Sequence, residues 1–207
     1  MAGPSVDFWQ ERFERNETPW DRGRVSPQLL HWLEQGLIGP AHRIAVPGCG
    51  SGHEVLALAQ AGCQVTGIDY AEGALKLCRQ RLEDAGLGDA DPVELVQADV
   101  LSWQPAAPFD IVYDQTCWCA LHPDHWRDWA DQLYAWVRPG GTLGLMAMQA
   151  QRDSATEGVI EGPPYHLDIN MLRALLPSGR WHWPAPPYGR VDHHMGRFEL
   201  ALVLRRL

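Results

Sequence analysis

The chain has 207 residues, of which 45% are hydrophobic, and its formal net charge is -9 at pH 7. That length and composition predict one domain with a sizeable core, and we expect it to span 1–207. A negative chain without a cluster of Lys and Arg is a poor candidate for nucleic-acid binding, and no apolar run approaches the length of a membrane span.

The N-terminal residues lack the basic and then apolar pattern of a signal peptide. The five cysteines, an odd number, are scattered along the chain and do not suggest a disulfide framework. We therefore expect a cytoplasmic protein, and the sequence leaves its oligomeric state open.

Residues 1–25 hold aromatic side chains in polar surroundings, among them Phe8, Trp9, Phe13 and Trp20. This stretch is too polar to build a core of its own, so its aromatic side chains need a partner surface. We predict an N-terminal arm that folds onto the main domain.

Beyond the arm, apolar periodicity and helix caps predict alternating helices and strands. In chain order these are a helix over 26–36, a strand over 43–46, a helix over 53–62, a strand over 64–69, a helix over 72–85, strands over 92–99 and 109–114, a helix from Pro123, a strand over 142–148, a helix over 168–176, and strands near Trp181 and over 198–204. Such alternation indicates an α/β fold with a mostly parallel sheet and helices on both faces. The tryptophans of the helix from Pro123 have helical spacing and are interpreted as core packing.

The glycine-rich stretch 46–52 follows a buried strand and opens a helix, which is typical of a nucleotide-binding βαβ unit. Glycines let the backbone turn sharply and approach a ligand closely. A tight turn without any ligand remains the alternative interpretation of this stretch on its own.

Acidic residues follow two of the next strands. Asp69 ends the second strand, where a carboxylate can accept hydrogen bonds from both ribose hydroxyls. Asp99 and Val100 end the third strand, where an adenine amino group can be recognised. Since ligands of parallel sheets bind beyond the carboxyl ends of the strands, the glycine turn, both acids and the loop 114–122 are expected to converge on one site.

A dinucleotide oxidoreductase fits less well, because the glycines follow Gly-x-Gly-x-Gly rather than Gly-x-Gly-x-x-Gly. Five motifs occur together and in order: Phe8-Trp9, Thr18-Pro19-Trp20-Asp21, Val46-Pro47-Gly48-Cys49-Gly50-Ser51-Gly52, Phe109-Asp110-Ile111-Val112-Tyr113-Asp114-Gln115-Thr116 and Gly162-Pro163-Pro164-Tyr165. This combination resembles the thiopurine S-methyltransferase family, and it is most similar to the plant-type halide and thiol methyltransferase branch and its bacterial relatives.

The resemblance implies the Rossmann-like fold of methyltransferases that depend on S-adenosylmethionine. That fold is α/β, with a seven-stranded, mostly parallel sheet whose last strand is antiparallel. The resemblance also implies S-adenosylmethionine as cofactor and S-adenosylhomocysteine as product.

The resemblance further implies which residues contact the cofactor: Trp9, Phe13, Trp20, Gly48, Gly50, Asp69, Tyr70, Asp99, Val100 and Gln115. Thr116, Trp118 and Tyr165 are expected at the methyl acceptor. Phe13 stands where relatives often have a second tryptophan, so an aromatic surface is kept. Gln115 stands where relatives have tyrosine or arginine, which changes the charge or π character close to the cofactor.

Methyl transfer from a sulfonium is an in-line displacement, so alignment of the reactants and exclusion of water are the main needs. Trp9 and Trp20 suit a lid, because aromatic faces attract the cationic sulfonium. A thiolate or halide needs no base, whereas an amine or phenol more often does. The candidate catalytic residues are His122 and Tyr165, with Asp114 as a further candidate base. The alternative interpretations are that His122 is a solvated loop residue and that Tyr165 only anchors its loop.

Cys117, Cys119, His122 and His125 invite a metal hypothesis. Cysteines two positions apart on an extended segment point to opposite sides, and structural zinc prefers Cys-x-x-Cys, so no metal is expected. The pair His193-His194 is expected at the surface. The leading hypothesis is methyl transfer to a small thiol, sulfide or halide; the alternatives are N- or O-methylation of another small molecule and a non-catalytic module that binds S-adenosylmethionine.

Overall fold

The structure is a computed structural model that describes residues 4–88, 92–152, 160–193 and 196–207. Its helices are α1 (Val6–Glu14), α2 (Pro27–Glu34), α3 (His53–Gln60), α4 (Glu72–Asp84), α5 (Trp126–Trp136) and α6 (Ile169–Leu175). Its strands are β1 (Arg43–Pro47), β2 (Gln64–Asp69), β3 (Val93–Gln97), β4 (Phe109–Gln115), β5 (Val137–Gln149), β6 (Trp181–His182), β7 (Gly189–Asp192) and β8 (Phe198–Arg206). None of the described helices is long and apolar enough to cross a membrane.

The strands form one sheet in the order β3-β2-β1-β4-β5-β8-β6, and β7 also pairs with β8. Strands β1 to β5 pair in parallel, and β8 runs antiparallel to β5. The predicted α/β, Rossmann-like fold with an antiparallel last strand is therefore confirmed. The strand order reverses between β1 and β4, and the crevice at such a reversal is where ligands of these sheets bind.

The predicted count of seven strands was wrong, because the described residues contain eight. Strands β6 and β7 share one position at the sheet edge: β6 pairs with 205–206 of β8, and β7 pairs with 198–201. Strand β7 was not predicted. It has four residues, of which only Val191 is buried, so it carries no alternating apolar pattern.

Both faces of the sheet are covered, since neighbouring residues of β4 belong to different clusters. Val112 packs in a cluster with α5 and α6, whereas Ile111 and Tyr113 pack in a cluster with α2, α3 and α4. Trp129 and Trp136 of α5 are fully buried in the first cluster, which confirms the predicted core stripe. Helix α5 begins at Trp126 rather than at Pro123, because Pro123–His125 forms a 3-10 turn.

The N-terminal arm contains helix α1, which the polar composition of residues 1–25 did not predict. Ser5 caps this helix by accepting a hydrogen bond from Phe8 N at 3.3 Å. Phe13 is its buried residue and packs on the start of α4, where a Cβ added to Gly73 would lie 2.9 Å from Phe13 Cβ. Gln10 Oε1 also accepts a hydrogen bond from Gly73 N at 2.9 Å. The arm is therefore fastened to the domain beside the ends of β1 and β2.

Candidate functional site

The glycine turn lies at the carboxyl end of β1. Gly48, Gly50 and Gly52 have φ angles of 59°, 53° and 80°, a region that side chains disfavour. A Cβ added to Gly48 would lie 3.1 Å from Cys117 Cβ, and one added to Gly52 would lie 2.3 Å from Cys78 Sγ. The turn therefore needs glycine for its backbone angles and for the close approach of its neighbours.

Asp69 ties this turn to the end of β2. Its Oδ2 accepts a hydrogen bond from Gly50 N at 3.0 Å, and its Oδ1 accepts one from Ala71 N at 3.0 Å. The side chain is buried, and burial raises the pKa of the carboxyl to about 6 despite these backbone hydrogen bonds. Because each carboxylate oxygen can accept a second hydrogen bond, Asp69 keeps acceptor capacity toward the adjoining cavity.

A cavity of about 990 Å³ lies beyond the carboxyl ends of the parallel strands. It is bounded by the glycine turn, the ends of β2 to β4, the N-terminal arm, the segment 162–165, and by His193 and Arg197. Of the residues predicted for the site, those that line it are Trp9, Phe13, Trp20, Gly48, Gly50, Asp69, Tyr70, Asp99, Val100, Gln115, Thr116, His122 and Tyr165. Segments far apart in the sequence thus meet at one place, as expected from the parallel sheet.

Trp118 is the predicted site residue that does not reach the cavity. Its side chain is fully buried in the core on the α5 side of the sheet, so the expected acceptor contact is corrected. Asp114 is also excluded as a base. Its Oδ1 accepts from Trp118 N at 3.1 Å and its Oδ2 from Trp129 Nε1 at 2.9 Å, and burial raises its pKa to about 6. Asp114 fixes the turn after β4.

Aromatic side chains of the arm form one wall of the cavity. The Trp9 and Trp20 rings meet edge to face at 5.2 Å, and Phe13 meets Trp20 at 5.9 Å. Such pairs are stable arrangements of ring quadrupoles and give the wall a defined shape. Tyr70 completes this apolar cluster from the end of β2.

Asp21 holds the arm against the glycine turn. It accepts hydrogen bonds from the Ser51 hydroxyl at 2.6 Å and from Gly23 N at 2.7 Å, and His53 Nε2 lies 3.1 Å from its Oδ1. Burial acts to raise the pKa of Asp21, but these hydrogen bonds hold it below the ordinary value. The motif containing Asp21 was recognised in the sequence, but this role was not.

Arg22 of the arm also contacts β8, which lies beyond β4 and β5 in the sheet. Its Nη2 lies 2.5 Å from Oε2 of Glu199, a fully buried residue of β8. Gln115 Nε2 donates to the same oxygen at 3.1 Å, and Gln115 Oε1 accepts from the Tyr113 hydroxyl at 2.7 Å. Burial raises the pKa of Glu199 to about 7, although Arg22 acts to lower it. Neither Arg22 nor Glu199 was predicted; the only signal was an acid inside an otherwise apolar strand.

Tyr165 and His122 stand together at another wall. Their rings meet edge to face at 5.6 Å, and Tyr165 N donates to Cys119 O at 2.7 Å. A Cβ added to Gly162 would lie 2.4 Å from Tyr165 Cδ1, so only glycine allows this ring position. Burial raises the pKa of Tyr165, which keeps its hydroxyl protonated at neutral pH. His122 Nδ1 accepts from Asp124 N at 3.3 Å, so Nε2 is the nitrogen left for a ligand.

Cys117 and Cys119 both line the cavity, and burial raises the pKa of each thiol. Within the described part of the chain, no group of three or more His, Cys, Asp or Glu side chains is arranged to hold a metal ion. His193 is buried and lines the cavity, which corrects the expected surface position. His194 lies outside the described residues.

Comparison with known sequences gives a consistent assignment. A family model described as thiopurine S-methyltransferase matches residues 5–184. Thiocyanate methyltransferase 1 of Arabidopsis thaliana is 32% identical over 168 residues, which cover 81% of this chain and 70% of that protein. The thiopurine S-methyltransferase of Azotobacter vinelandii is 31% identical over 182 residues, which cover 82% and 81%.

Solved structures resemble the chain at the level of the fold. The 1,6-didemethyltoxoflavin-N1-methyltransferase of Burkholderia thailandensis, bound to S-adenosylhomocysteine, superposes with a TM-score of 0.75 at 18% identity and covers 97% of this chain and 86% of that one. The magnesium protoporphyrin IX methyltransferase of Synechocystis, with bound S-adenosylmethionine, gives 0.72 at 16% identity and covers 97% and 96%. Both are Rossmann-like methyltransferases.

Proposed function

The chain belongs to the thiopurine S-methyltransferase family, and we propose that its methyl acceptor is a small soft nucleophile, namely a thiol, sulfide or halide. Membership makes the protein a methyltransferase with S-adenosylmethionine as cofactor and S-adenosylhomocysteine as product. The names of its thiocyanate and thiol methyltransferase relatives support the proposed acceptor class. So does the chemistry of the cavity.

The residues of the cavity fit the cofactor. The glycine turn admits close backbone approach, and the buried Asp69 has acceptor capacity left for ribose hydroxyls. The aromatic wall of Trp9, Phe13 and Trp20 suits a cation. S-adenosylmethionine supplies an activated methyl group on a positively charged sulfur.

We assign the remaining cofactor contacts by position. Gly48 and Gly50 offer backbone groups at the end of β1, and Asp99 and Val100 border the adenine end. Asp99 Oδ1 already accepts from Leu101 N at 2.9 Å, which fixes the turn and leaves the other oxygen accessible. Tyr70 and Gln115 also line the cavity and are assigned to the cofactor, whereas Thr116 is assigned to the acceptor.

The observation that carries the acceptor proposal is the state of the titratable groups near Tyr165. The Tyr165 hydroxyl is protonated and can orient an acceptor as a donor, but it cannot remove a proton at neutral pH. Asp114 is engaged at both oxygens and lies behind the wall. A thiolate or halide needs only alignment and dehydration, and the enclosing arm provides both.

His122 supports a second candidate function. It lines the cavity and leaves Nε2 for a ligand, which is the position of a general base for an amine or hydroxyl. This alternative is N- or O-methylation of a small molecule.

We also propose that 1–207 acts as one methyltransferase domain, with 1–25 closing over the cofactor, because Asp21 and Arg22 bind elements on both sides of the cavity.

A panel of acceptors tests the proposal. Iodide, hydrosulfide, an aromatic thiol and a primary amine are each incubated with enzyme and S-adenosylmethionine, and release of S-adenosylhomocysteine is measured. We expect turnover with the first three. His122→Gln should leave those rates nearly unchanged, whereas turnover confined to the amine and abolished by His122→Gln would replace the proposal by the alternative.

A further inference from the structure

The buried carboxylate of Glu199 organises two cavity residues from behind the wall. Glu199 lies on β8 between Met148 of β5 and Val191 of β7, and it has 0% exposure. Its partners Arg22 and Gln115 both line the cavity. A single carboxylate thus joins the N-terminal arm to the carboxyl end of β4, next to the reversal of strand order.

The contacts leave hydrogen-bond donors facing the cavity. Gln115 Nε2 donates one hydrogen to Glu199, so its second amide hydrogen is left to donate to a ligand. Arg22 uses Nη2 for Glu199, and its Nε and Nη1 groups have no hydrogen-bond partner among the described residues. N–H groups on a guanidinium and an amide are suited to an anion. The Glu54 carboxyl also lines the cavity near Arg22, but burial raises its pKa, which favours its neutral form.

Stability alone is a weak explanation for this arrangement. A buried ion pair costs desolvation energy that its attraction often fails to offset, and apolar replacements of equal size are frequently as stable. The apolar neighbours Met148 and Val191 show that β8 could be packed without any charge here.

We propose that Arg22, held by Glu199, is a specificity-determining residue that selects acceptors entering the cavity as anions. This inference rests on the proposed methyl transfer to a soft nucleophile and narrows it. The acceptor is then a thiolate, a hydrosulfide or a halide ion, and a neutral thioether is disfavoured.

The charge of Glu199 tunes this selection. The titratable groups that face it are Arg22 from the arm, Glu54 from α3, Tyr113 and Asp114 from β4, and Cys119 from the following turn. Its paired residues on β5 and β7, Met148 and Val191, are uncharged. Burial raises the pKa of Glu199 to about 7. As the pH falls through this value Glu199 becomes neutral, the charge of Arg22 is no longer balanced, and the affinity for an anion rises.

The first test compares an anion with a neutral soft acceptor. Iodide is charged at every pH, and dimethyl sulfide is never charged. For Arg22→Gln we expect the KM for iodide to rise about tenfold more than the KM for dimethyl sulfide or the Kd for S-adenosylmethionine, because only the anion loses a charge-assisted hydrogen bond, whereas any loosening of the arm affects all three alike. Arg15→Gln is the control, because Arg15 is an exposed arginine of the arm whose ion pair, with Glu11, is also exposed.

The second test addresses Glu199. Glu199→Gln should lower the KM for iodide at pH 8 and remove its dependence on pH between about 6 and 8. Adding Glu199→Gln to Arg22→Gln should change the KM for iodide no further. Calorimetric titration of iodide into the complex with S-adenosylhomocysteine gives the same comparison without turnover.

The outcomes separate the two proposals. If wild-type enzyme methylates iodide and Arg22→Gln binds iodide equally well, the selection of anions by Arg22 is wrong and the soft-nucleophile proposal stands. If Arg22→Gln weakens both acceptors and the cofactor alike, the pair only fastens the arm, and the inference is again wrong. If wild-type enzyme methylates only amines and binds no iodide, both proposals fail.

Discussion

The two halves of the cavity are held by different kinds of contact. On the cofactor side, Asp69 bonds backbone amides that are 2 and 19 positions away. On the acceptor side, Glu199 bonds Gln115 and Arg22 from 84 and 177 positions away. The contacts of Asp69 are therefore made within one continuous βαβ unit, whereas those of Glu199 form only when both ends of the chain are in place.

The strongest expected effect is on the cofactor side. Asp69→Ala removes the proposed acceptor for ribose hydroxyls and the link between Gly50 and Ala71, and we expect cofactor binding to weaken by about 2–4 kcal/mol. Calorimetry with S-adenosylhomocysteine measures it. Asp131→Ala is the control, since Asp131 makes an exposed ion pair with Arg180. An unchanged Kd in Asp69→Ala would remove Asp69 from the site.

The acceptor side should instead be visible in the pH dependence of stability. The pKa of Glu199 is raised from 4.5 to about 7, chiefly by burial. The folded state then keeps a proton that the unfolded chain has lost, so this group's contribution to the free energy of unfolding falls as the pH rises between those values. The loss is roughly 3 kcal/mol at most.

Urea unfolding at several pH values, from about 4.5 to 7.5, measures this loss. Glu199→Gln should flatten the fall in stability chiefly between about pH 6 and 7, because Asp69 and Asp114, whose pKa values are raised to about 6, supply most of the slope below that range. Glu161→Gln, at an exposed site, should retain the wild-type slope. Equal slopes in all three proteins would contradict the assignment to Glu199.

A substitution at Gly162 tests whether the acceptor side of the cavity can be disturbed without affecting the cofactor side. Gly162→Ala places a Cβ 2.4 Å from the Tyr165 ring, so the ring must move, at a cost of about 1–3 kcal/mol. We expect kcat with a soft acceptor to fall about tenfold while the Kd for S-adenosylhomocysteine stays unchanged. Gly179→Ala is the matched control, because nothing lies within 4 Å of its added Cβ. Loss of cofactor binding in Gly162→Ala would mean that the halves are not independent.

The smallest expected effect distinguishes charge from packing in the aromatic wall. Trp20→Leu removes an aromatic face next to Trp9 and Phe13. Affinity for the cationic S-adenosylmethionine should drop about two- to fivefold more than affinity for the neutral S-adenosylhomocysteine. Parallel titrations of both ligands into the same protein measure the ratio, and an equal loss for both would assign the wall to packing alone.

Local patterns explain what could be predicted. Strand β1, the glycine turn, α3 and β2 follow one another within a short stretch. Their apolar periodicity and the glycines that their turn requires can be recognised from residues adjacent in the sequence. The position of Asp69 followed from the same unit. The burial of Trp129 and Trp136 followed from helical spacing alone.

The unpredicted features depend on partners that are distant in sequence. Glu199 is an acid in an apolar strand, and only the folded chain brings Arg22 to it. Trp118 lies in a loop that touches the cavity, but its large apolar ring is more stable in the core. Strand β7 forms because the edge of β8 offers backbone partners, not because its own four residues favour a strand.

The buried thiols have a consequence for the lifetime of the enzyme. Cys117 and Cys119 line a cavity that binds an alkylating agent, and sulfur is the kind of atom that such an agent alkylates. A thiol reacts mainly as its thiolate, and burial suppresses ionisation of both side chains. The low dielectric surroundings that pack these residues therefore also protect the protein from modifying itself.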